Sequence, residues 1–526
     1  MRYNELKSAA SDRIRLNIHP EGGSIMKRTK KSLFVRLFAL VLAVVLVLSG
    51  CAGGEKKSDE VEKLKFEMFA WGETPDEEMV EEALNAITRE KIGVEVDIEF
   101  HNVANYSEQI GLKMAGDEEM DLLAIIGDTP NMVRQGELMP IDDLLDQYGK
   151  DIKEICGEFL YYGTIDGKNY GVPVMNNKKY IGSLNCRKDI IDELGIDPAS
   201  MMTLDGITAA FEKVYAAYPE MTMIAPDSEG IFYGYYGIDS EHVQHLDYII
   251  GYYLAIMNDE PIVRNVYETE YYRRELEYVR DWYLKGYVDK DAAASSEVGS
   301  LAYYDGNLFS YINMQNVYSD KVEPVVHLGL TAITYPTYSI PISKDVVSSV
   351  DTLGVGISSN SKHPEAAMKW INLLFTDQEM ATTLGFGVKG HHWDLNEKGL
   401  AEYCEGIEPG NSGWETGFNW SMGNTGASYV FATVSDDPDY NKKQIEMNDT
   451  AERSIAYGFC FDGYEVEAEM AACESVIEKY ALALESGSVD IDSVLPQFLD
   501  ELKAAGIDKV VAEAQKQLDE FIAAKK

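Results

Sequence analysis

Between Leu64 and Ile126 the sequence reads as strand, helix, strand, helix, strand, an order that only a layered α/β arrangement accommodates. Leu64–Trp71 alternates apolar and polar residues as a strand does. Thr74-Pro75-Asp76-Glu77 follows, with Thr74 as an expected helix N-cap, Pro75 at the first helical position and Glu77 closing a capping box. Met79, Val80, Ala83, Leu84 and Ile87 keep helical spacing until Gly93. Val94, Val96, Ile98 and Phe100 then alternate with Glu95, Asp97 and Glu99, the period of a half-buried strand. A second helix over roughly Tyr106–Ala115 and the apolar run Leu122–Ile126 complete the unit. Strands alternating with helices predict a parallel sheet covered on both faces. In such sheets ligands bind beyond the carboxyl ends of the strands. Trp71 and Gly127-Asp128-Thr129 stand at two such ends. Trp71 could stack on a sugar ring or sit at a lobe interface, and Asp128 could accept hydroxyl hydrogen bonds or serve the turn itself.

A chain of 526 residues exceeds what one core supports, so at least two lobes are expected. Acidic residues number 89 against 46 basic ones, an imbalance that argues against nucleic acid and against electrostatic binding to anionic membranes. Six cysteines without a CxxC pair suggest neither a disulfide framework nor zinc or redox work. Tyrosine outnumbers phenylalanine, 33 to 17, and its apolar ring with a polar tip suits sugar recognition as well as ordinary half-buried packing.

The N-terminus carries an address. Lys27, Arg28, Lys30 and Lys31 precede an apolar run from Leu37 to Leu48, followed by Ser49-Gly50-Cys51. A basic region, a short apolar core and a small-residue cleavage site make an export signal, and the run is too short to span a bilayer. Leu48-Ser49-Gly50-Cys51 resembles a bacterial lipobox, in which the cysteine is diacylated and the peptide cut before it. Met26 is then the expected start, and Ala52–Val61 a flexible polar tether. Further along, Asp205–Tyr218 and Tyr271–Leu284 read as partly amphipathic helices, with Trp282 as packing in the second. Gly230–Gly237 mixes glycine and aromatic residues as a ring-presenting loop would. The last ~60 residues hold three helical stripes interrupted near Gly487 and at Gly506.

Several segments carry a family likeness. Ile165-Asp166-Gly167-Lys168-Asn169-Tyr170-Gly171-Val172-Pro173 resembles the DGK-x-YG-x-P segment of the family 1 extracellular solute-binding proteins. Ser358–Ala367 is similar to that family's S-x-x-P-E-A-A segment, and Gly116–Leu123 to the glycine-acidic stretch leading into a first-lobe strand. The portion from about Tyr457 through Asp508 looks like the C-terminal helical region of a subgroup of these lipoproteins. The resemblance implies an α/β, two-lobed periplasmic-binding-protein-like fold of type II, each lobe a sheet flanked by helices, with a helical C-terminal region. It also implies capture of a sugar or oligosaccharide between the lobes and delivery to the permease subunits of an ABC importer. The expected division is a leader at 1–50, a lipidated tether at 51–61, lobe one at 62–175, lobe two at 176–340, a return to lobe one at 341–400, and 401–526 packing on lobe two.

Position and residue chemistry nominate the ligand contacts. Asn176 and Asn177 lie just after Pro173 near the expected hinge, and each amide offers both donor and acceptor to hydroxyls. Trp71, Asp128, Trp393, Trp414, Trp420 and Tyr457 complete the candidates, since a sugar cleft needs aromatic walls and sparse polar groups. Cys51 is the expected lipid site, and no metal or cofactor is expected. Neither a GxSxG elbow nor an HExxH helix is present, and the adjacent His391-His392 pair suits a metal poorly, so a non-enzymatic binder is expected. A peptide binder or a ligand sensor feeding a membrane kinase are the alternatives, a surface glycosidase the least favoured.

Overall fold

The computed structural model describes residues 61–127, 129–226, 230–232, 246–251, 253–257, 260–294, 303, 306–316, 323–328, 331–342, 346–347, 353–407, 411–414, 418, 421–450 and 453–525. The leader, Cys51 and the tether before 61 lie outside the described residues, as do Asp128, Trp420 and most of Gly230–Gly237.

The alternating pattern near the start becomes one side of a five-stranded sheet, ordered Val94–Asn102, Glu62–Ala70, Leu122–Ile126, Leu353–Ile357, Gly171–Pro173. Its first three strands are parallel, with Phe66 opposite both Ile98 and Leu122. The sheet is not wholly parallel, however. Leu353–Ile357 returns from the far part of the chain and runs antiparallel to Leu122–Ile126, setting Val355 opposite Ala124. A strand that re-enters from another lobe is free of the helical crossover that enforces parallel pairing. Helices Glu77–Ile92 and Pro364–Thr376 cover this sheet, and Trp370 packs its edge on Phe66 with ring centroids 5.4 Å apart.

The first helix begins later than the capping box at Thr74 predicts. Its first residue is Glu77, Asp76 occupies the cap position, and no side chain caps it. Asp76 is held from elsewhere: its N–H donates to the Gly413 carbonyl at 2.9 Å and its carboxylate accepts from His392. Tertiary contacts thus override the local cap.

A second sheet runs Glu323–Leu328, Thr331–Pro341, Lys179–Arg187, Leu308–Asn316, Thr222–Ile224. Most of its pairs are antiparallel, with Ser310 and Tyr338 both opposite Cys186. A three-stranded sheet, Glu260–Asn265, Leu254–Met257, Leu246–Ile250, lies in the same half of the molecule. Helices Leu204–Ala217 and Glu270–Lys285 bury Phe211 and Trp282 there, and the Trp282 indole donates to Thr208 Oγ1.

Two large, separate hydrophobic cores result, one around Phe66, Leu122 and Trp370, the other around Leu184, Phe211, Ile256 and Trp282. The molecule is two-lobed in that sense. The C-terminal helices Glu467–Glu485, Ile491–Ala505 and Ile507–Ala524 contribute Cys473, Phe498, Leu502, Val510 and Leu518 to the second core. Gly506 joins the last two with φ 105°, a backbone conformation that only glycine adopts without strain. Residues 401–526 do not behave as one body, because Trp414, Phe418, Met422 and Tyr457 belong to the first core.

Candidate functional site

At the carboxyl end of Glu62–Ala70 the chain turns outward and leaves Trp71 53% exposed, its ring edge-on to Phe69 at 5.0 Å. Exposed indole beside a buried sheet end is uncommon, since Trp is ordinarily well covered. At the end of Leu122–Ile126, Gly127 takes φ 81° and its carbonyl accepts the N–H of buried Thr129. Ile125, Thr129, Tyr162, Gly171, Pro173 and Gly354 line a small cavity beside the end of this second strand. Gly354 permits the close approach there: a Cβ on it would stand 2.4 Å from the Val172 carbonyl oxygen.

Directly after Pro173 the chain leaves the first sheet for the second, and distant segments clasp it along the way. The Val174 N–H donates to Leu353 O at 3.1 Å, and the Met175 N–H to Gly423 O at 2.8 Å. The Met175 carbonyl in turn accepts the Thr425 N–H at 2.8 Å. Asn448, itself buried, works on both sides: its Oδ1 accepts the Lys178 N–H at 2.7 Å and its Nδ2 donates to Asn176 O at 2.9 Å. Asn177 accepts the Lys179 N–H through Oδ1 and donates through Nδ2 to Gln444 at 2.9 Å. Buried backbone groups need such partners. The Asn177 amide is therefore engaged in holding the crossing, whereas Asn176 keeps a buried Oδ1 with no hydrogen-bond partner among the described residues.

Behind the crossing lies an aromatic cluster. Tyr457 sits edge-on to Phe159 and Tyr162, with centroids 5.9 and 5.6 Å away, and its buried hydroxyl has no partner among the described residues. Burial first, and the Glu158 carboxylate second, push that phenol well above its ordinary range. Three cations face these rings. Lys178 Nζ stands 5.4 Å from the Tyr162 centroid, the Arg453 guanidinium 5.5 Å and Lys525 Nζ 5.8 Å from that of Tyr457. Ring faces attract cations at such distances. Arg453 also pairs with Glu158 at 3.0 Å and donates to the Asn448 carbonyl, tying the cluster to the crossing. Lys178 is buried, and loss of hydration pushes its amine down to about 7. Tyr162 belongs both to this cluster and to the cavity at the strand ends, so the two adjoin.

The nominated residues therefore separate. Trp71 stands at a strand end, Asn176 and Asn177 form the crossing, and Tyr457 backs it. Trp393 and Trp414 are not cleft walls: both are essentially fully buried. Their indole N–H groups donate to Gly387 O and Leu384 O, at 2.7 and 2.9 Å, at the end of the helix Gln378–Phe386. A helix terminus leaves carbonyls without intrahelical donors, and two buried indoles supply them here. Asp128 and Trp420 lie outside the described residues. Thr129 and Tyr162, which line the cavity, and Lys178, which faces the rings, were not among the nominated residues. The Leu160-Tyr161-Tyr162-Gly163 run just before the resembling segment was the available signal for Tyr162, and nothing local marks the lysine.

Among the described residues, two side-chain groups have the composition of metal sites, Asp76/His391/His392 and Glu67/Glu99/His101. In the first, His392 Nδ1 accepts the Val388 N–H at 2.9 Å, which puts the ring proton on Nε2 facing Asp76 at 3.2 Å. That proton occupies the lone-pair position a metal would need, and burial lowers the ring's proton affinity, keeping it neutral. In the second, the Lys113 ammonium already bridges Glu67 at 2.8 Å and Glu99 at 2.5 Å. Each set thus has members already paired within the protein.

Sequence and structure comparisons identify the family and the fold. Residues 70–381 match the model of the bacterial extracellular solute-binding proteins, and residues 455–523 match a domain of unknown function, DUF3502. A carbohydrate ABC transporter substrate-binding protein of Streptococcus pneumoniae serotype 4 is 27% identical, over 95% of this chain and 100% of its own length. Among solved structures, the N-glycan transport solute binding protein NgtS of S. pneumoniae superposes with TM-score 0.72 at 23% identity, covering 88% of this chain and 100% of that one. S. pneumoniae FusA in complex with kestose gives TM-score 0.56 at 17% identity, with coverage of 88% and 100%. An extracellular solute-binding protein of Bifidobacterium longum subsp. infantis gives 0.60 at 13%, with coverage of 88% and 99%. At these identities the structural likeness is one of fold. Matched over more than half its length by the family model, the chain belongs to the bacterial extracellular solute-binding proteins.

Proposed function

We propose that the chain captures a sugar or short oligosaccharide between its lobes and hands it to the permease subunits of an ABC importer. The observation that carries this reading is the exposed Trp71 indole at the carboxyl end of a parallel strand, in the sheet whose edge strand leads into a multiply clasped crossing between two cores. An indole face buries the apolar face of a pyranose, and strand ends are where open α/β sheets place ligands. The carbohydrate ABC transporter relative, matched over nearly the whole chain, supports the same class of ligand. Asn176, with its unpaired buried Oδ1, is our leading polar candidate, and Asp128 and Trp420 remain candidates on position alone. Diacylated Cys51 would hold the protein on the outer face of the cytoplasmic membrane, with the residues before 61 as the tether.

Thermal unfolding against sugars, uronate oligomers, peptides and polyamines tests the reading. A solute at 100 times its Kd adds about 2.7 kcal/mol to the native state. Stabilisation by one sugar class, with the sugar recovered unchanged, is the expected outcome. Stabilisation by peptides alone sinks the carbohydrate assignment, and turnover of any oligosaccharide sinks the non-enzymatic one. Cys51→Ser is expected to move the protein from the membrane fraction to the medium.

A further inference from the structure

The second half of the molecule carries a groove of its own. A cavity of about 690 Å³ opens between the strand Glu260–Asn265, the first turn of Glu270–Lys285 and the last helix, Ile507–Ala524. Its size falls within the roughly 300–1,000 Å³ of small-molecule sites. No lining residue comes from the first sheet or from the crossing.

One lining group lacks a partner. Asn265 is 6% exposed; its Oδ1 accepts the Tyr267 N–H at 3.2 Å, and its Nδ2 has no acceptor among the described residues. A buried amide donor left unpaired costs about 1–3 kcal/mol, and the side chain that carries it lines the groove. Around it stand the carboxylates of Glu260, Glu268, Glu270 and Asp508. Glu260 is paired with Arg264 at 2.6 Å, and Asp508 reaches Lys503 only at 3.7 Å. Half-buried Tyr271 and exposed Ile262 supply apolar surface.

This combination selects a ligand chemistry. A metal cation would satisfy the carboxylates and leave the amide N–H unpaired. An anion would satisfy the amide and meet four carboxylates against one guanidinium. A hydroxyl group donates and accepts at once, and a sugar ring adds an apolar face for Tyr271. We propose that this groove is a second saccharide site, separate from the crossing between the lobes and built partly from the C-terminal helices. It would hold an uncharged sugar near the surface and raise the local supply at the protein.

The test is hydrogen exchange on the full chain with kestose, Man1GlcNAc and maltotriose at millimolar concentration, and with spermidine and calcium as charge controls. Peptides covering 257–271 and 507–515 report on the groove, and those covering 171–178 on the crossing. Asn265→Asp keeps the acceptor for Tyr267 while replacing the orphan donor, and Tyr271→Ala removes the ring without touching Asn265. Protection of the groove peptides by a sugar, weakened at least tenfold in each folded variant with the crossing unchanged, is the expected result. Protection confined to 171–178 overturns this proposal and leaves sugar capture between the lobes standing. Protection of the groove by spermidine or calcium alone, sugar protection that survives both substitutions, or no protection there with any of the sugars also overturns it.

Discussion

Lys178→Met should stabilise the protein near neutral pH, and by an amount that depends on pH in a defined way. The amine lies buried in the crossing, facing the rings of Phe159 and Tyr162, and burial lowers it from 10.5 to about 7. Between those two values the unfolded chain holds a proton that the folded chain has released. Stability therefore rises with pH from about 7 toward 10.5, and the full burial penalty operates below about 7. At 1.36 kcal/mol per pH unit the penalty is roughly 4 kcal/mol at pH 7 and under about 1 kcal/mol by pH 10. Attraction to the ring faces returns some 0.5–2 kcal/mol of that while the amine is charged. Methionine keeps the length and apolar character of the stem. The variant should gain about 2–3 kcal/mol at pH 7, and the gain should shrink to within error by about pH 10. Urea unfolding of both proteins across this range measures it, because taking the difference cancels every other titrating group. A gain that stays flat with pH would show that packing, not charge burial, sets the effect. A loss at pH 7 would show that the charged amine is a net stabiliser of the crossing.

Glu137 offers the opposite dependence: burial raises its carboxyl to about 7 from 4.5, so stability falls as pH climbs between those values. Glu137→Gln should gain about 1–3 kcal/mol at pH 8 and almost nothing at pH 4, read by the same unfolding series. Trp414→Ala, which empties a core site and strips Leu384 of a donor, should cost about 3–5 kcal/mol without changing sugar affinity in the protein that remains folded. Trp71→Ala should do the reverse, weakening sugar binding at least tenfold by calorimetry while stability moves by less than about 0.5 kcal/mol. Asn448→Ala unpairs the Lys178 N–H and the Asn176 carbonyl together, and should lower the unfolding free energy by about 2–4 kcal/mol.

How much of this was legible follows from how local each cause is. The strand at Val94–Asn102 and the helix at Tyr106–Ala115 could be read directly, because periodicity there reflects burial on one face. The C-terminal helices were equally plain, with Gly506 standing where the left-handed link falls. The antiparallel return of Leu353–Ile357 was not, since its direction depends on where a second lobe releases the chain rather than on its own five residues. The capping box at Thr74 failed for a related reason: Gly413 and His392 claim Asp76 from more than 300 residues away. Local rules describe a helix end only until a tertiary partner outbids them.

The site was less legible than the fold, and the two tryptophans show why. Trp71 and Trp414 present the same residue type in similarly mixed surroundings, yet one is half exposed at a strand end and the other caps a helix inside the core. Indole N–H groups must be satisfied when buried, and the available acceptors, here Leu384 and Gly387 carbonyls, are set by which segments pack together. The same logic separates the two asparagines. Asn177 has both amide ends occupied, by Lys179 and Gln444, while its neighbour keeps an unpaired Oδ1. Residue type nominates what a side chain is able to do; the unspent donor or acceptor decides what it is left to do. By that criterion Asn176 beside the strand ends and Asn265 in the distant groove are the same kind of feature, a buried amide with one end still open, and only the first lies where the fold alone would direct the search.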